Sequence, residues 1–304
     1  MNRRDLFRVS LAAAAAALPR PLFGRAGVAA AQPPVLDLAR LQAWVAALRG
    51  AGLARRELPA GRAAVRVGEL ALGTPYVAHT LEEYLKAGGD ARALEPLTLW
   101  LTRFDCQLLV ESCLALARLA ATSAEPTWEA FGREVERVRY RGGQRDSYAS
   151  RLHYFSEWIA DNQERGLVRD LGRELGGVPD ARPLRFMTAK RESYPALQDP
   201  EVFAQIQEYE RRLDGTPRYV VPTAKLAEVA DRIQTGDVLA LATGLEGLDV
   251  SHAVFAYRDE QGALRVLHAP LSGGHVEITP ETLPEYVAAR KRATGILVAR
   301  PLWG

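Results

Sequence analysis

The chain predicts an α+β fold, helical through its first two thirds and built from an antiparallel sheet in its last third. Apolar residues recur at helical spacing from residue 35 to residue 213, then gather from Gly236 onward into short β-type runs. Helices followed by strands argue for α+β rather than a doubly wound sheet. Apolar residues make up 48% of the 304, ample material for a core. No internal repeat, low-complexity tract or Ser/Gly-rich linker divides the chain, which favours one large domain over two.

Residues 1–31 stand apart from that domain. They open on Arg3-Arg4, run through a short apolar stretch ending at Leu18, and close on Val28-Ala29-Ala30-Ala31. A basic start, a weakly apolar run and a small-residue cleavage site make an export signal. The adjacent arginines resemble a twin-arginine signal, which places the mature protein in the periplasm or outside the cell. The run is too short to span a bilayer, which needs about 20 apolar residues. Residues 1–31 hold five Arg and one Asp, so losing them turns the formal charge from +2 to −2. Neither value marks a nucleic-acid partner. No later segment is apolar enough for stable membrane insertion. The expected domain is therefore residues 32–304, with a helical insertion over about 121–217.

Within it, Val35–Gly50 reads as an amphipathic helix ended by Gly50-Ala51-Gly52, and residues 62–72 as a second, stopped by Gly73-Thr74-Pro75. Residues 82–85 and the turn Gly88-Gly89-Asp90 lead to a helix that starts at Cys106. Thr127 caps a helix reaching Tyr140; residues 150–164 and 199–213 read as two more. Strands are expected at 238–242, 250–257, 264–268, 276–278 and 296–299, about five in all, with a helix over 280–292.

The two cysteines, Cys106 and Cys113, lie seven residues apart on one predicted helix. Seven helical residues rise about 10.5 Å, beyond the roughly 7 Å that a disulfide tolerates between Cα atoms. Cys113 sits on the packed face, the usual place of a free structural thiol. Cys106 sits at the helix start behind Asp105, a residue type suited to N-capping. There the backbone N–H groups and the helix dipole favour a thiolate. Of the five histidines, His252 and His268 fall on neighbouring strands, and antiparallel strands about 4.8 Å apart let two imidazoles touch. Cys106 as nucleophile, His252 as base and His268 as the residue that orients the base form an activated-thiol constellation. His79 and His275 read as surface residues. The chain lacks His-Glu-x-x-His, Cys-x-x-Cys, a phosphate-binding Gly-rich loop and Gly-x-Ser-x-Gly, so no metal and no cofactor are expected.

With these residues assembled, the chain resembles the NlpC-type cell-wall cysteine peptidases of the papain-like superfamily. Leu72-Gly73-Thr74-Pro75-Tyr76 looks like their Gly-x-Pro-Tyr segment and Phe104-Asp105-Cys106 like their Asp-Cys block. Thr235-Gly236-Asp237-Val238-Leu239 resembles the Gly-Asp-Leu start of their first strand. Ser251-His252-Ala253-Val254 and Leu267-His268-Ala269 resemble their paired His strands. The departures are Gln107 where Ser is usual, Ala253, and about 145 residues between Cys106 and His252. Together with Phe104 to Glu111 and Arg151 to Ile159, that long insertion resembles the N-acetylmuramoyl-L-alanine amidase-like branch. The resemblance implies a cysteine-dependent amidase that cuts between the muramic lactyl group and L-Ala of peptidoglycan fragments (muropeptides). The commoner superfamily reaction cuts the γ-D-glutamyl–diamino acid bond, and a non-catalytic peptidoglycan-binding module is a further reading. In the amidase reading, the Cys106 N–H and the Tyr76 hydroxyl stabilise the oxyanion, and His153, Tyr154 and Trp158 line the glycan side of the cleft.

Overall fold

Among the described residues the helical spacing read from the sequence appears as ten helices: α1 (Val35–Gly50), α2 (Ala60–Leu70), α3 (Glu83–Lys86), α4 (Cys106–Ala120), α5 (Trp128–Arg139), α6 (Phe155–Glu164), α7 (Phe186–Ala189), α8 (Pro200–Arg212), α9 (Leu226–Val229) and α10 (Leu283–Ala288). The structure is a computed structural model and describes residues 34–304; the expected export signal lies outside the described residues. Local chemistry sets several helix starts. Asp105 caps α4 by accepting from Leu108 N–H at 2.8 Å, and Thr127 caps α5 by accepting from Ala130 N–H at 3.1 Å. Asp199 caps α8 with Pro200 at its first position.

The strands are β1 (Val168–Asp170), β2 (Val178–Asp180), β3 (Arg218–Pro222), β4 (Val238–Thr243), β5 (Val250–Arg258), β6 (Leu264–His268), β7 (Glu277–Ile278) and β8 (Ala293–Pro301). They form one antiparallel sheet in the order β2-β3-β8-β4-β5-β6-β7, with β1 also on β8. The fold is α+β, but the sheet has eight strands where five were expected. The three unforeseen strands are β1, β2 and β3. Two of them are three residues long, and the third ends in Pro222, so none carries a readable alternation. The insertion is correspondingly not all helical, because β1 and β2 arise within it.

Both faces of β4 are buried, and its side chains alternate between two cores. Val238, Ala240 and Ala242 join the larger core with α1, α2, α4, α5 and α6; Leu239 and Leu241 join a second core with Leu226, Leu283 and Val287. A third cluster built from Tyr148, Tyr154, Leu197, Val202 and Ile206 belongs largely to the insertion. The helix α2 reaches the sheet at a glycine pair: a Cβ on Gly236, whose φ is +92°, would lie 2.2 Å from the Gly61 backbone. The Gly-Asp segment ahead of β4 is thus structural. Its buried Asp237 accepts both Nε and Nη2 of Arg300 at 2.8 Å.

One helix begins later than its spacing suggests. Residues 150–154 are not part of α6; Arg151 is extended and bridges Tyr140, while Leu152 N–H donates to Arg139 O at 2.9 Å. Burial of the Arg151 guanidinium against Glu82 holds that path. The helix expected over 280–292 is likewise confined to Leu283–Ala288.

Candidate active site

Pairing between Tyr76 and Phe104 places the Gly-Thr-Pro-Tyr segment beside the start of α4, with Val77 N–H donating to Phe104 O at 2.9 Å. Cys106 is the first residue of α4. The nearby main-chain N–H groups of Ala253, Gln107 and Cys106 itself favour its thiolate. The Ala253 contact joins the helix to β5 at the residue after His252. The β5 strand bulges there, since Leu241 opposes His252 while Ala242 opposes Val250, leaving Ser251 as the extra residue. A bulge of this kind re-aims the side chain next to it.

Nε2 of His252 and Nδ1 of His268 are 2.8 Å apart, and the Tyr286 hydroxyl lies 3.2 Å from the same Nδ1. On the far side of the buried His268 ring, Nε2 is 3.5 Å from the Glu277 carboxylate. That carboxylate favours a proton on His268 Nε2, so Nδ1 accepts from His252 Nε2–H. His252 Nδ1 then keeps its lone pair and is the nitrogen left to act as base. Sequence reasoning missed Tyr286 and Glu277: Tyr286 falls in the helix expected over 280–292, where no spacing marks it as a partner of His268.

Burial governs the protonation states. Burial and then Asp105 push the Cys106 thiol up to about 12, against the pull of the three N–H groups. The expected thiolate is therefore corrected: the helix start is real, but desolvation and the adjoining carboxylate outweigh it. Burial and then Arg290 take His252 down to about 4; burial, His252 and Arg290 take His268 down to about 3. Thiol and imidazoles are thus neutral at neutral pH. Tyr76 is raised to about 12 by burial, Cys106 and Asp105, so its hydroxyl stays a donor near the sulfur.

Cys106 opens on a cavity of about 510 Å³ that Tyr76, His153 and Tyr154 also line. His153 Nε2 faces Tyr148 O at 3.0 Å and so donates to it. The Tyr154 hydroxyl donates to Glu210 at 2.7 Å and accepts from Met187 N–H at 3.1 Å. Trp158 does not reach the cleft. It is fully buried and stacked on Phe155 with ring centroids 4.9 Å apart. The late start of α6 explains the split, since His153 and Tyr154 precede the helix while Trp158 lies one turn inside it. His275 is exposed, and so is His79, which lines the cavity from a left-handed conformation at φ +62°. Both cysteines are free. Among the described residues, no group of three or more His, Cys, Asp or Glu is placed to hold a metal ion, and no helix is long and apolar enough to cross a membrane.

Fold and site together place the chain among amidase-like hydrolases. A family model described as AmiA-like, N-acetylmuramoyl-L-alanine amidase-like, matches residues 66–296, and the chain belongs to that family. A crystal structure of an N-acetylmuramoyl-L-alanine amidase from Bacteroides uniformis is similar over 80% of this chain and 98% of its own, at 30% identity and a TM-score of 0.71. A putative xylanase from Bacteroides fragilis is 35% identical, with a TM-score of 0.70, over 77% of this chain and 99% of its own. A Legionella pneumophila protein of the DUF1460 family shares the fold at 21% identity and a TM-score of 0.63, over 88% and 95%. No curated protein matches the chain.

Proposed function

We propose that the protein is an exported, cysteine-dependent peptidoglycan amidase that hydrolyses the amide between N-acetylmuramic acid and L-Ala of muropeptides. The observation that carries this reading is Cys106 at the start of α4 beside the Ala253 N–H of β5, one residue from an imidazole that His268 contacts at 2.8 Å. As the sulfur bonds to the lactyl carbonyl carbon, its proton passes to His252 Nδ1. The resulting oxyanion takes hydrogen bonds from the Cys106 N–H and the Tyr76 hydroxyl, donors typically worth about 3 kcal/mol each. Collapse breaks the C–N bond, and His252 returns its proton to the departing amine of L-Ala. Water, deprotonated by the same imidazole, then releases the muramic carboxylate and restores the thiol. His268 accepts from His252 Nε2–H throughout and keeps the ring in this tautomer.

The carboxylates of the cleft support thiol rather than sugar-hydrolysing chemistry, because they are engaged elsewhere. Glu82 accepts from Arg151 at 2.7 Å and Asp105 caps α4. The test is mass spectrometry of muropeptides incubated with the mature protein. Release of intact stem peptide is expected, whereas cleavage after D-Glu would replace the amidase by the γ-D-glutamyl–diamino acid endopeptidase, and cleaved glycan would overturn thiol chemistry altogether. Cys106→Ala is expected to abolish turnover with an unchanged melting temperature, and Cys113→Ala to spare turnover.

A further inference from the structure

Two cavities meet at the site, and their linings differ in charge. Cys106 lines the one of about 510 Å³, and His252 lines the other, of about 660 Å³. Leu271, 75% exposed on the loop between β6 and β7, lines both and forms the ridge between them. The His252 cavity is also lined by Arg290, Lys291 and Arg292, three consecutive exposed cations, and by no Asp or Glu. Among the described residues none of the three forms an ion pair. Arg290 stacks its guanidinium 4.0 Å from the centre of the Tyr286 ring, which leaves Lys291 and Arg292 without a side-chain partner.

From this we infer that the basic cavity is the leaving-group subsite and takes an anionic stem peptide through its free carboxylates. The inference rests on the amidase reading and adds a direction to it. In acyl transfer the acyl part stays bonded to sulfur, so it occupies the cavity that holds Cys106. The amine departs towards the group that protonates it, so it leaves on the His252 side. A stem that begins at L-Ala carries the D-Glu carboxylate and those of later residues into that side, where three unpaired cations stand. Opposite charge there speeds encounter and fixes which end of the substrate enters which cavity.

Calorimetry on Cys106→Ala protein tests this without turnover, using free L-Ala-γ-D-Glu-diaminopimelate as the probe. K291E/R292E in that background, which leaves the Arg290–Tyr286 contact intact, is expected to weaken binding about tenfold, as is an analogue with its carboxylates converted to carboxamides. The two losses are expected not to add. Equal affinity of the variant, or equal affinity of the carboxamide, overturns the assignment. Parallel turnover on muropeptides separates the two readings: charge-dependent binding without hydrolysis removes the amidase and keeps the subsite, and hydrolysis with charge-independent binding does the reverse.

Discussion

His252 Nε2 and His268 Nδ1 stand 2.8 Å apart, and this contact determines which imidazole nitrogen is free to take a proton. With the His268 proton assigned to Nε2, the nitrogen 3.5 Å from Glu277, His252 presents Nδ1 as base. His252→Ala is expected to lower kcat by about 10³-fold or more, His268→Ala by about 10²-fold, and Tyr286→Phe by only a few fold, since its hydroxyl is the longer contact at 3.2 Å. Single-turnover rates of the three variants check the order. A loss at His268 equal to that at His252 would mean that His268 handles the proton itself.

A pair that starts neutral has a different pH signature from a thiolate–imidazolium pair. With His252 near 4, acid removes activity only when that ring protonates and can no longer accept from the thiol. kcat/KM is therefore expected to be level across neutral pH and to fall tenfold per unit below about pH 4. A limb near 6.5, the ordinary histidine value, would show that the site is wetter than its burial implies.

Much of this site was legible because short sequence signals coincide with strict backbone demands. The Asp105 cap fixes where α4 begins, and the spacing of His252 and His268 about the short connection at residues 259–263 puts them on paired strands. What escaped depends on three-dimensional surroundings. The thiol's protonation follows from burial and from Asp105, neither of which spacing along the chain encodes. Trp158 keeps helical spacing with Phe155 and Ile159, yet periodicity does not say which face points at a cleft when the helix starts five residues late. The strands β1 and β2 pair over three residues each and exist only because β8 and β3 lie alongside.

Trp158 gives that last point a measurable consequence. Its ring is among the largest side chains sealed in the main core, packed with Phe155 and Val138. Trp158→Ala is expected to cost about 3–5 kcal/mol of stability through the cavity it leaves. KM for muropeptides is expected to be unchanged at temperatures where the variant stays folded. Denaturant unfolding and steady-state kinetics on one preparation check both, and a raised KM with unaltered stability would return Trp158 to the cleft.

Asp105 couples stability to reactivity, because one carboxylate both caps α4 and raises the neighbouring thiol. Asn caps a helix about as well as Asp, so Asp105→Asn keeps the bond from Leu108 N–H and removes only the charge. With that charge gone, Cys106 becomes more acidic, and its alkylation by iodoacetamide at pH 8 is expected to speed up several fold. The carboxyl itself is raised from 3.8 to about 6, chiefly by burial. A raised acid favours the folded state below its unfolded value and loses that contribution as pH climbs through the folded one. The variant should therefore gain stability relative to the parent between about pH 4 and pH 7, and the difference should level off above that. Melting temperatures of both proteins across this window, read beside the alkylation rates, test the two effects together. If faster alkylation appears without the pH-dependent gain, Asp105 acts on the sulfur from a solvated position rather than a buried one.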